Sequence, residues 1–473
     1  MLLKYFYDEK LAHASYLVGC QKCGEAIVID PSRDVSMYLQ AAKAEGVKIT
    51  AVTETHIHAD FLSGSRELAA TADATLYLSD EGGPDWSYQY VDGYKHVPVY
   101  DGTKFSVGNI RFEVMHTPGH TPEHISFIVT DGGSNAPLPM GIFSGDFVFV
   151  GDIGRPDLLE KAAGVSGSTK DMAHRMFKSL QRFKQLPDSL QLWPAHGAGS
   201  ACGKSLGAIP SSTVGYEKMV NWALNEDDEE RFVETLITGQ AEPPTYFAMM
   251  KKLNKEGPTL LSEVKGPQRE TESIATLQEW LKTGVVVDTR PASVFAKGHF
   301  ARVINIPLNK SFPTWAGWLL AYDRPIYVLC EEDQVSAVVH DLQSIGLDQL
   351  VSTMSPSVVA KLPEADVRVH TYAEVRPEQA AKAIEDGDVF VLDVRNSVEW
   401  SEGHIAQAHR VLLGTLANRL GELPRDKTIL VHCRSGARSA IAASILQAGG
   451  IMDVQNMLGG YDEWLRTGQP VTV

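Results

Sequence analysis

The spacing of apolar residues in the first half of the chain predicts short strands and helices that follow one another closely. The predicted strands are residues 15–18, 26–30 and 49–52, and the predicted helices are residues 34–45 and 171–183, with another beginning near Arg66. Residues 103–115 alternate between polar and apolar side chains on both sides of Val107-Gly108-Asn109, which predicts a hairpin. This mixture of elements indicates an α/β protein.

The C-terminal part of the chain contains an internal repeat. An apolar run that ends in Asp-x-Arg and is followed by Gly-His occurs at Asp288 to His299 and again, about 105 residues later, at Asp393 to His404. This period is too long for a solenoid repeat, so it predicts two copies of one small domain. Apolar strands alternate with helical patterns in each copy, which predicts a parallel sheet covered on both faces.

The composition changes beyond residue 240, where Glu242-Pro243-Pro244 and the run from Asn254 to Pro258 are typical of a linker. A chain of 473 residues is expected to hold about three domains. We therefore predict domains at residues 1–260, 261–366 and 367–473.

The formal net charge of −16 argues against a nucleic acid or an anionic membrane as partner, because binding to polyanions needs a basic surface. The start of the sequence lacks the pattern of a signal peptide, and apolar runs of membrane-spanning length are missing. Five cysteines, an odd and sparse set, fit a reducing compartment. We expect a soluble cytoplasmic protein, and a homo-oligomer stays open.

Metal-ligand side chains are crowded after the third predicted strand. His56, His58 and Asp60 lie within Thr55-His56-Ile57-His58-Ala59-Asp60-Phe61. Histidines that alternate along an extended segment can turn toward one cavity. Three later motifs each add one side chain of the same kind: Thr117-Pro118-Gly119-His120, Ser144-Gly145-Asp146 and Pro194-Ala195-His196-Gly197. Together they predict a metal site on loops at the ends of strands.

These motifs resemble those of the metallo-β-lactamase superfamily, which implies an αββα sandwich with the metal at one edge. The superfamily motif His-x-His-x-Asp-His ends here in Phe61, which has no lone pair. In hydrolases of the superfamily that histidine helps to hold a second metal, so the second site is expected to be lost although Asp60 and His196 remain. A zinc-dependent thioester hydrolase resembling glyoxalase II is the alternative.

The remaining motifs resemble those of persulfide dioxygenases, which implies one Fe(II) per chain bound by His56, His120 and Asp146. Two imidazoles and one carboxylate on one face of a metal suit non-haem iron and oxygen chemistry. Zinc accepts the same donors. The implied reaction oxidises the persulfide of a small thiol with O2 to sulfite.

The same resemblance assigns Arg155 to the anionic end of the thiol substrate. Three further side chains are expected to orient ligands or water, although they could ligate the metal: His58, Asp60 and His196. We also expect Cys202 to line the mouth of the iron pocket and to hold a sulfane sulfur, with Lys204 favouring its thiolate if that side chain turns inward. A spectator thiol packed in a loop is an equally open interpretation of Cys202.

The segment Cys433-Arg434-Ser435-Gly436-Ala437-Arg438 ends a predicted strand and opens an alanine-rich helix. Backbone N–H groups and the helix dipole at such a place favour a thiolate. Together with Asp-x-Arg and Gly-His, the loop resembles that of rhodaneses, which implies sulfur transfer through a Cys433 persulfide cradled with Arg434 and Arg438. A cysteine phosphatase is the competing interpretation, but its loop resembles Cys-x5-Arg and four residues separate Cys433 from Arg438.

In the first copy the equivalent loop is Cys330-Glu331-Glu332-Asp333-Gln334-Val335, with Val335 at the position of Arg438. Its three carboxylates are expected to raise the pKa of the Cys330 thiol and to repel anionic substrates. We therefore predict a degenerate domain that is structural or docks partners.

The combined resemblance is to persulfide dioxygenase–rhodanese fusions of sulfide detoxification or thiosulfate metabolism. Glutathione, coenzyme A, bacillithiol and cysteine are all compatible carriers, and sulfur could flow from thiosulfate to the iron or from the iron to thiosulfate. A module whose rhodanese domains only dock partners is a third possibility. The Cys20 and Cys23 pair is predicted to be a structural turn, because a second pair or a following helix is missing.

Overall fold

The structure is a computed structural model, and it describes residues 1–134, 137–158, 160, 167–204 and 206–472. It divides into two compact units, one formed by Met1–Val264 with Gln343–Gly346 and the other by Lys265–Leu342 with Leu347–Val473. The domain limits 1–260, 261–366 and 367–473 stay predictions, and Val473 lies outside the described residues. Within the described part of the chain, no helix is both long and apolar enough to span a membrane.

The first unit contains two six-stranded sheets in which each strand lies beside the strand that precedes it. One sheet consists of β1 (Leu2–Asp8), β2 (His13–Cys20), β3 (Glu25–Ile29), β4 (Lys48–Thr53), β5 (Thr75–Ser79) and β6 (His96–Val99). The other consists of β7 (Lys104–Val107), β8 (Ile110–His116), β9 (Ile125–Asp131), β10 (Gly141–Gly145), β11 (Gln191–Pro194) and β12 (Ser212–Thr213). The helices are α1 (Ser36–Ala44), α2 (Ser65–Ala72), α3 (Ser168–Phe183), α4 (Val214–Val220), α5 (Trp222–Asn225), α6 (Glu229–Ile237) and α7 (Phe247–Glu256).

Three apolar cores hold these layers together. Tyr38 of α1 belongs to the core between the helices and the first sheet. Ile27 and Phe127 belong to the core that joins the two sheets. Met176 and Leu180 of α3 belong to the core on the other face of the second sheet. The predicted αββα sandwich is therefore confirmed.

The predicted elements of this unit are present, and two of the three predicted strands, β2 and β4, are longer than the apolar runs suggested. The strand predicted at residues 15–18 extends over His13–Cys20. Every residue of β2 is buried, including the polar residues His13 and Ser15. The Cys20 and Cys23 segment forms the turn after it, where the backbone N–H groups of Cys23 and Gly24 donate to the Cys20 carbonyl. Periodicity alone marks only the apolar part of such a strand.

The second unit contains two five-stranded parallel sheets. The first copy consists of β13 (Gln268–Arg269), α8 (Ile274–Thr283), β14 (Val285–Asp288), α9 (Ala292–Lys297), β15 (Ile304–Asn305), α10 (Phe312–Leu319), β16 (Ile326–Leu329), α11 (Val335–Ser344) and β17 (Leu350–Met354). The second consists of β18 (Ala373–Val375), α12 (Pro377–Glu385), β19 (Val389–Asp393), α13 (Ser397–Ser401), β20 (His409–Arg410), β21 (Thr428–His432), α14 (Ala437–Ala448), β22 (Val454–Met457) and α15 (Gly460–Arg466). The strand orders, β13-β17-β16-β14-β15 and β18-β22-β21-β19-β20, correspond strand for strand, which confirms the predicted pair of parallel α/β domains.

Candidate metal centre and cysteine loops

The three predicted iron ligands come together at the ends of three strands. His56 follows β4, His120 follows β8, and Asp146 follows β10. The Nε2 atom of His120 lies 3.4 Å from Oδ2 of Asp146, and Nε2 of His56 lies 3.9 Å from the same oxygen. All three side chains are buried and can offer ligand atoms within 4.8 Å of one another. Metal binding by this set stays a prediction.

The polar atoms of this cluster fit a divalent metal. Neither carboxylate oxygen of Asp146 has a hydrogen-bond partner among the described residues, although both are buried. A buried carboxylate without donors is costly unless a cation balances it. Burial and the neighbouring imidazoles hold the pKa of His56 well below its usual range, and burial lowers that of His120. Both rings therefore remain neutral and keep a lone pair for a metal.

Hydrogen bonds fix the orientation of the two histidines. Nδ1 of His120 donates to the Arg155 carbonyl oxygen at 3.0 Å, which leaves Nε2 as its free acceptor. Nδ1 of His56 lies 3.1 Å from the Thr55 hydroxyl, which itself donates to Asp30 at 3.0 Å. Such contacts at the second ring nitrogen set the tautomer that a metal requires.

His116 and His124, which flank the motif Thr117-Pro118-Gly119-His120, are hydrogen-bonding neighbours of the cluster. The backbone N–H of Asp146 donates to Nε2 of His124 at 3.0 Å, so this nitrogen is an acceptor. Nε2 of His116 lies 2.8 Å from the Pro122 carbonyl. Gly145 permits this close packing, because it has a φ of +55° and a Cβ there would lie 2.5 Å from the Thr55 hydroxyl oxygen.

Asp30 is a site residue that the sequence analysis missed. Its carboxylate accepts from the Thr55 N–H at 2.7 Å and lies 2.9 Å from Nε2 of His58. Burial disfavours the charged form of His58, but the Asp30 carboxylate outweighs this effect and raises the pKa of His58 to about 9. His58 is thus paired with Asp30 and positions the ligand loop. The signal in the sequence was an aspartate ending an otherwise apolar strand pattern.

Phe61 is buried in the middle of the histidine cluster. Its ring stacks on His13 with 3.7 Å between ring centroids and lies 4.4 Å from the ring of His58. His13 was also missed, because it begins a strand far from every recognised motif. An aromatic ring therefore fills the position at which the hydrolase motif carries a metal-binding histidine.

The structure brings together a second set of ligand-type side chains. Asp60, His196 and Cys202 can offer ligand atoms within 4.8 Å of one another, and Nε2 of His196 lies 3.2 Å from Asp60. The loss of a second site, expected from Phe61, stays a prediction, and the Cys202 sulfur lies where it could act as a third donor beside Asp60 and His196. The sequence did not show this donor, since Cys202 lies on a loop whose path only the fold determines.

Cys202 lies beside the metal centre but carries no activated thiol. Burial and the carboxylates of Asp146 and Asp60 raise its pKa well above the usual range. The Lys204 ammonium, expected to favour a thiolate, donates instead to the Thr235 carbonyl at 2.8 Å. The cysteine is therefore a neutral thiol unless a cation binds next to it.

Arg155 is held by protein groups on every side. Its Nε and Nη2 atoms both donate to the Asp157 carboxylate at 2.6 Å, and Nη2 also donates to the Ala241 carbonyl. The side chain is only 2 % exposed. An anionic thiol would have to compete with Asp157 for this guanidinium, so the contacts differ from those expected of a substrate-binding arginine. Its observed contribution is the carbonyl that orients His120.

The Cys433 loop connects β21 to α14 and directs hydrogen-bond donors at the cysteine sulfur. The Cys433 sulfur is buried and accepts hydrogen bonds from the Gly436 N–H at 3.2 Å and the Ser439 hydroxyl at 3.5 Å. Gly436 has a φ of +93°, which favours glycine and lets its N–H turn toward the sulfur. This arrangement stabilises negative charge on sulfur.

The two arginines of the loop have different surroundings. Arg438 forms a two-point ion pair with Glu399, with Nη1 2.7 Å from Oε2. Arg434 is largely exposed and contacts Asp462 at 3.4 Å. Glu399 could not be recognised from the sequence, because it lies on α13, 39 residues before Arg438.

In the first copy, Cys330 is buried without such a cradle. Burial raises the pKa of the Cys330 thiol to about 11, Glu331 and Asp333 add to this effect, and Arg269 opposes it. The predicted direction is confirmed, but burial and not the acidic residues is the larger cause. Arg269 donates to the Cys330 carbonyl at 3.0 Å.

Two known families match the chain. The Metallo-beta-lactamase superfamily matches residues 9–196, and the Rhodanese-like domain matches residues 273–359 and 376–467. The chain belongs to the metallo-β-lactamase superfamily and carries two rhodanese-like domains, which confirms the predicted resemblance. It is thus an enzyme of the metallo-β-lactamase fold joined to sulfurtransferase-type domains.

A metallo-beta-lactamase from Staphylococcus aureus subsp. aureus COL has a solved structure that is 45% identical, with a TM-score of 0.68, covering 75% of this chain and 99% of that one. The mitochondrial persulfide dioxygenase ETHE1 of Bos taurus is 25% identical, over 50% of this chain and 80% of its own length. A sulfurtransferase of Allochromatium vinosum is 33% identical over 21% of this chain and 92% of its own. A hydroxyacylglutathione hydrolase of Synechococcus sp. (strain WH7803) is 32% identical over 38% of this chain, which spans 64% of that relative's length.

Proposed function

We propose that the N-terminal domain is a non-haem iron persulfide dioxygenase that oxidises a small thiol persulfide with O2 to sulfite. The observation that carries this proposal is the buried aromatic ring of Phe61, which stands where the hydrolase motif has a metal-binding histidine. Next to it, His56, His120 and Asp146 offer two neutral imidazoles and one carboxylate, the donor set that suits non-haem Fe(II). The similarity to the bovine persulfide dioxygenase supports the same activity.

The overall reaction is balanced as RSSH + O2 + H2O → RSH + SO3²⁻ + 2 H⁺, so that the terminal sulfur is oxidised and O2 is reduced. Fe(II) bound by these ligands would supply the activation of O2. The chain contributes the neutral tautomers of His56 and His120, the buried charge of Asp146 and a site closed to bulk water. We also propose that Cys202, which lies beside Asp60 and His196, holds a sulfane sulfur once a metal cation next to it favours its thiolate, and Cys202→Ser is expected to impair oxidation without loss of iron.

We propose that the second rhodanese-like domain transfers sulfane sulfur between thiosulfate and a thiol. The Cys433 thiolate attacks thiosulfate, sulfite leaves, and a Cys433 persulfide remains. Hydrogen bonds from Gly436 and Ser439 to the sulfur support this role. Tethering both activities in one chain raises the effective concentration of the shared sulfur intermediate. The five cysteines are all free, in keeping with a reducing cytoplasm.

The second candidate function is a zinc-dependent thioester hydrolase with accessory sulfurtransferase domains. The cluster of Asp60, His196 and Cys202 favours it, because three donors beside the first triad offer a place for a second zinc ion. The similarity to hydroxyacylglutathione hydrolases agrees with it. Hydrolysis of S-lactoylglutathione without O2 uptake would establish this alternative.

The test is the Asp146→Ala variant, compared with Asp73→Ala at an exposed ion pair with Lys95. We expect Asp146→Ala to lose bound iron and O2 uptake with glutathione persulfide, because it removes the one carboxylate of the triad. Asp73→Ala is expected to keep both. Retention of iron and O2 uptake by Asp146→Ala would refute the assignment.

A further inference from the structure

A cavity of about 650 Å³ lies beside the Cys433 loop, between the two rhodanese-like copies of the second unit. The second copy contributes Ser435 of the loop and Ala437 and Arg438 of the first turn of α14. The first copy forms the opposite wall, which includes Trp315 of α10 and Gln334 of its own cysteine loop. A volume of this size suits a small organic ligand.

The wall from the first copy is held firmly against the helix that the Cys433 loop opens. The backbone N–H of Asn305 donates to the Ser444 hydroxyl of α14 at 3.0 Å. The ring of Trp318 packs so closely on Gly414 that a Cβ there would lie 2.0 Å from it. Buried apolar residues of both copies belong to one continuous core. The cavity is therefore a permanent part of the sulfur-transfer site.

The lining is mostly apolar, with uncharged hydrogen-bonding groups. Pro307, Leu308 and Trp315 supply apolar surface, and Asn309 and Gln334 supply amides. The lining includes one ionised side chain, Arg438, whose charge is balanced by Glu399. A polyanionic ligand body would find little compensation here, whereas a neutral body with amide groups would find both apolar contact and hydrogen bonds.

We propose that this cavity binds the organic body of the thiol that accepts sulfur from Cys433, and that this thiol has a neutral, amide-bearing arm of the pantetheine type. The proposal rests on the proposed sulfur transfer by Cys433. The acceptor thiolate attacks the outer sulfur of the Cys433 persulfide, a new S–S bond forms, and the bond to Cys433 breaks to release its thiolate. No net oxidation accompanies this step. Residues of the first copy, which has no cradle of its own, thereby determine which thiol binds next to Cys433 of the second copy.

The test is calorimetric titration of the full-length protein with S-methylpantetheine and with S-methylglutathione, which cannot react with a persulfide. We expect S-methylpantetheine to bind at least about tenfold more tightly, because S-methylglutathione carries two carboxylates and an ammonium group into a lining without matching charges. Equal affinity, or no binding of S-methylpantetheine, would overturn the proposal.

Ser311→Phe places a large ring in the lining of the cavity. The change removes no capping hydrogen bond from α10, because the Ser311 side chain makes none. It should weaken S-methylpantetheine binding about tenfold or more. Val351→Phe enlarges an exposed side chain of β17 in the same copy and should leave affinity unchanged. Unaltered affinity in Ser311→Phe, with a thermal midpoint like that of wild type, would also refute the cavity. Thiocyanate formation by the wild type from thiosulfate and cyanide distinguishes a failure of the cavity proposal from a failure of the proposed function. If no thiocyanate forms, the proposed sulfur transfer is refuted. If thiocyanate forms but S-methylpantetheine does not bind, only the cavity proposal is refuted.

Discussion

Cys433 and Cys330 occupy the same place in two copies of one fold, each directly after the strand that pairs with the Asp-x-Arg strand. The Cys433 sulfur accepts two hydrogen bonds from its own loop and the helix it opens. Cys330 has its thiol pKa raised to about 11 by burial. The same backbone topology thus directs hydrogen-bond donors of the loop and helix at the sulfur in one copy, whereas burial keeps the thiol neutral in the other.

The first copy carries apolar residues at the positions where the second copy has the ion pair beside the Cys433 loop. Arg438 and Glu399 form this pair in the second copy. Their counterparts by the repeat spacing are Val335 and Val294, so both partners are replaced by the same apolar residue. A lone arginine or a lone glutamate at a half-buried position is costly, so a copy that lacks one partner is more stable without the other.

The largest effect is expected from the two cysteines themselves. Cys433→Ser should reduce thiocyanate formation from thiosulfate and cyanide by about a thousandfold or more, because a hydroxyl cannot carry the sulfane sulfur. Cys330→Ser, the matched change in the other copy, should remain within about threefold of wild type. A comparable loss in Cys330→Ser would show that the first copy is not degenerate.

The Arg438 and Glu399 pair should account for the next largest difference. We expect Arg438→Val or Glu399→Val to lower sulfur transfer about ten- to a hundredfold, because each leaves the other charge unpaired beside the loop. The double variant, which copies the first domain, should lose no more than either single variant, because it leaves no unpaired charge beside the loop. If the activity loss of the double variant equals the two single-variant losses combined, the two side chains act independently.

The pH dependence of alkylation should reveal the raised pKa of the Cys330 thiol. Below pH 11 the raised pKa keeps Cys330 protonated, so its thiolate fraction should increase about tenfold for each pH unit from 7 to 10. Peptide mass spectrometry after iodoacetamide pulses would follow this increase at Cys330. A plateau below pH 9 would contradict the neutral thiol.

The smallest effect is expected at Arg434. Its side chain is exposed and its contact with Asp462 spans 3.4 Å, so the pair is worth little in water. Arg434→Ala should raise the half-saturating thiosulfate concentration only about threefold, by removing one positive charge near the entry. A loss as large as that of Arg438→Val would place Arg434 in the cradle itself.

Sequence patterns predicted the parts of the molecule that depend on local order. Strands, the hairpin near Gly108 and the repeat were readable because their signals lie within a few residues or recur at a fixed spacing. The strand-end motifs likewise predicted that His56, His120 and Asp146 would meet.

Contacts that depend on tertiary structure could not be predicted in this way. Asp30, His13 and Glu399 are distant in sequence from the groups they contact, and only Asp30 has a local signal, the aspartate at the end of an apolar strand pattern. Cys202 was placed near the metal centre, but its third-donor position beside Asp60 and His196 depends on the path of one loop. The pKa of Cys330 was misattributed to acidic neighbours because burial has no local signature.

The most direct test of the proposed chemistry is metal analysis of protein purified without oxygen, followed by O2 uptake with a thiol persulfide. The proposed function predicts about one iron per chain, bound by the triad of His56, His120 and Asp146, and O2 consumption that matches sulfite formation. Two zinc ions per chain, together with thioester hydrolysis and no O2 uptake, would contradict it and establish the hydrolase.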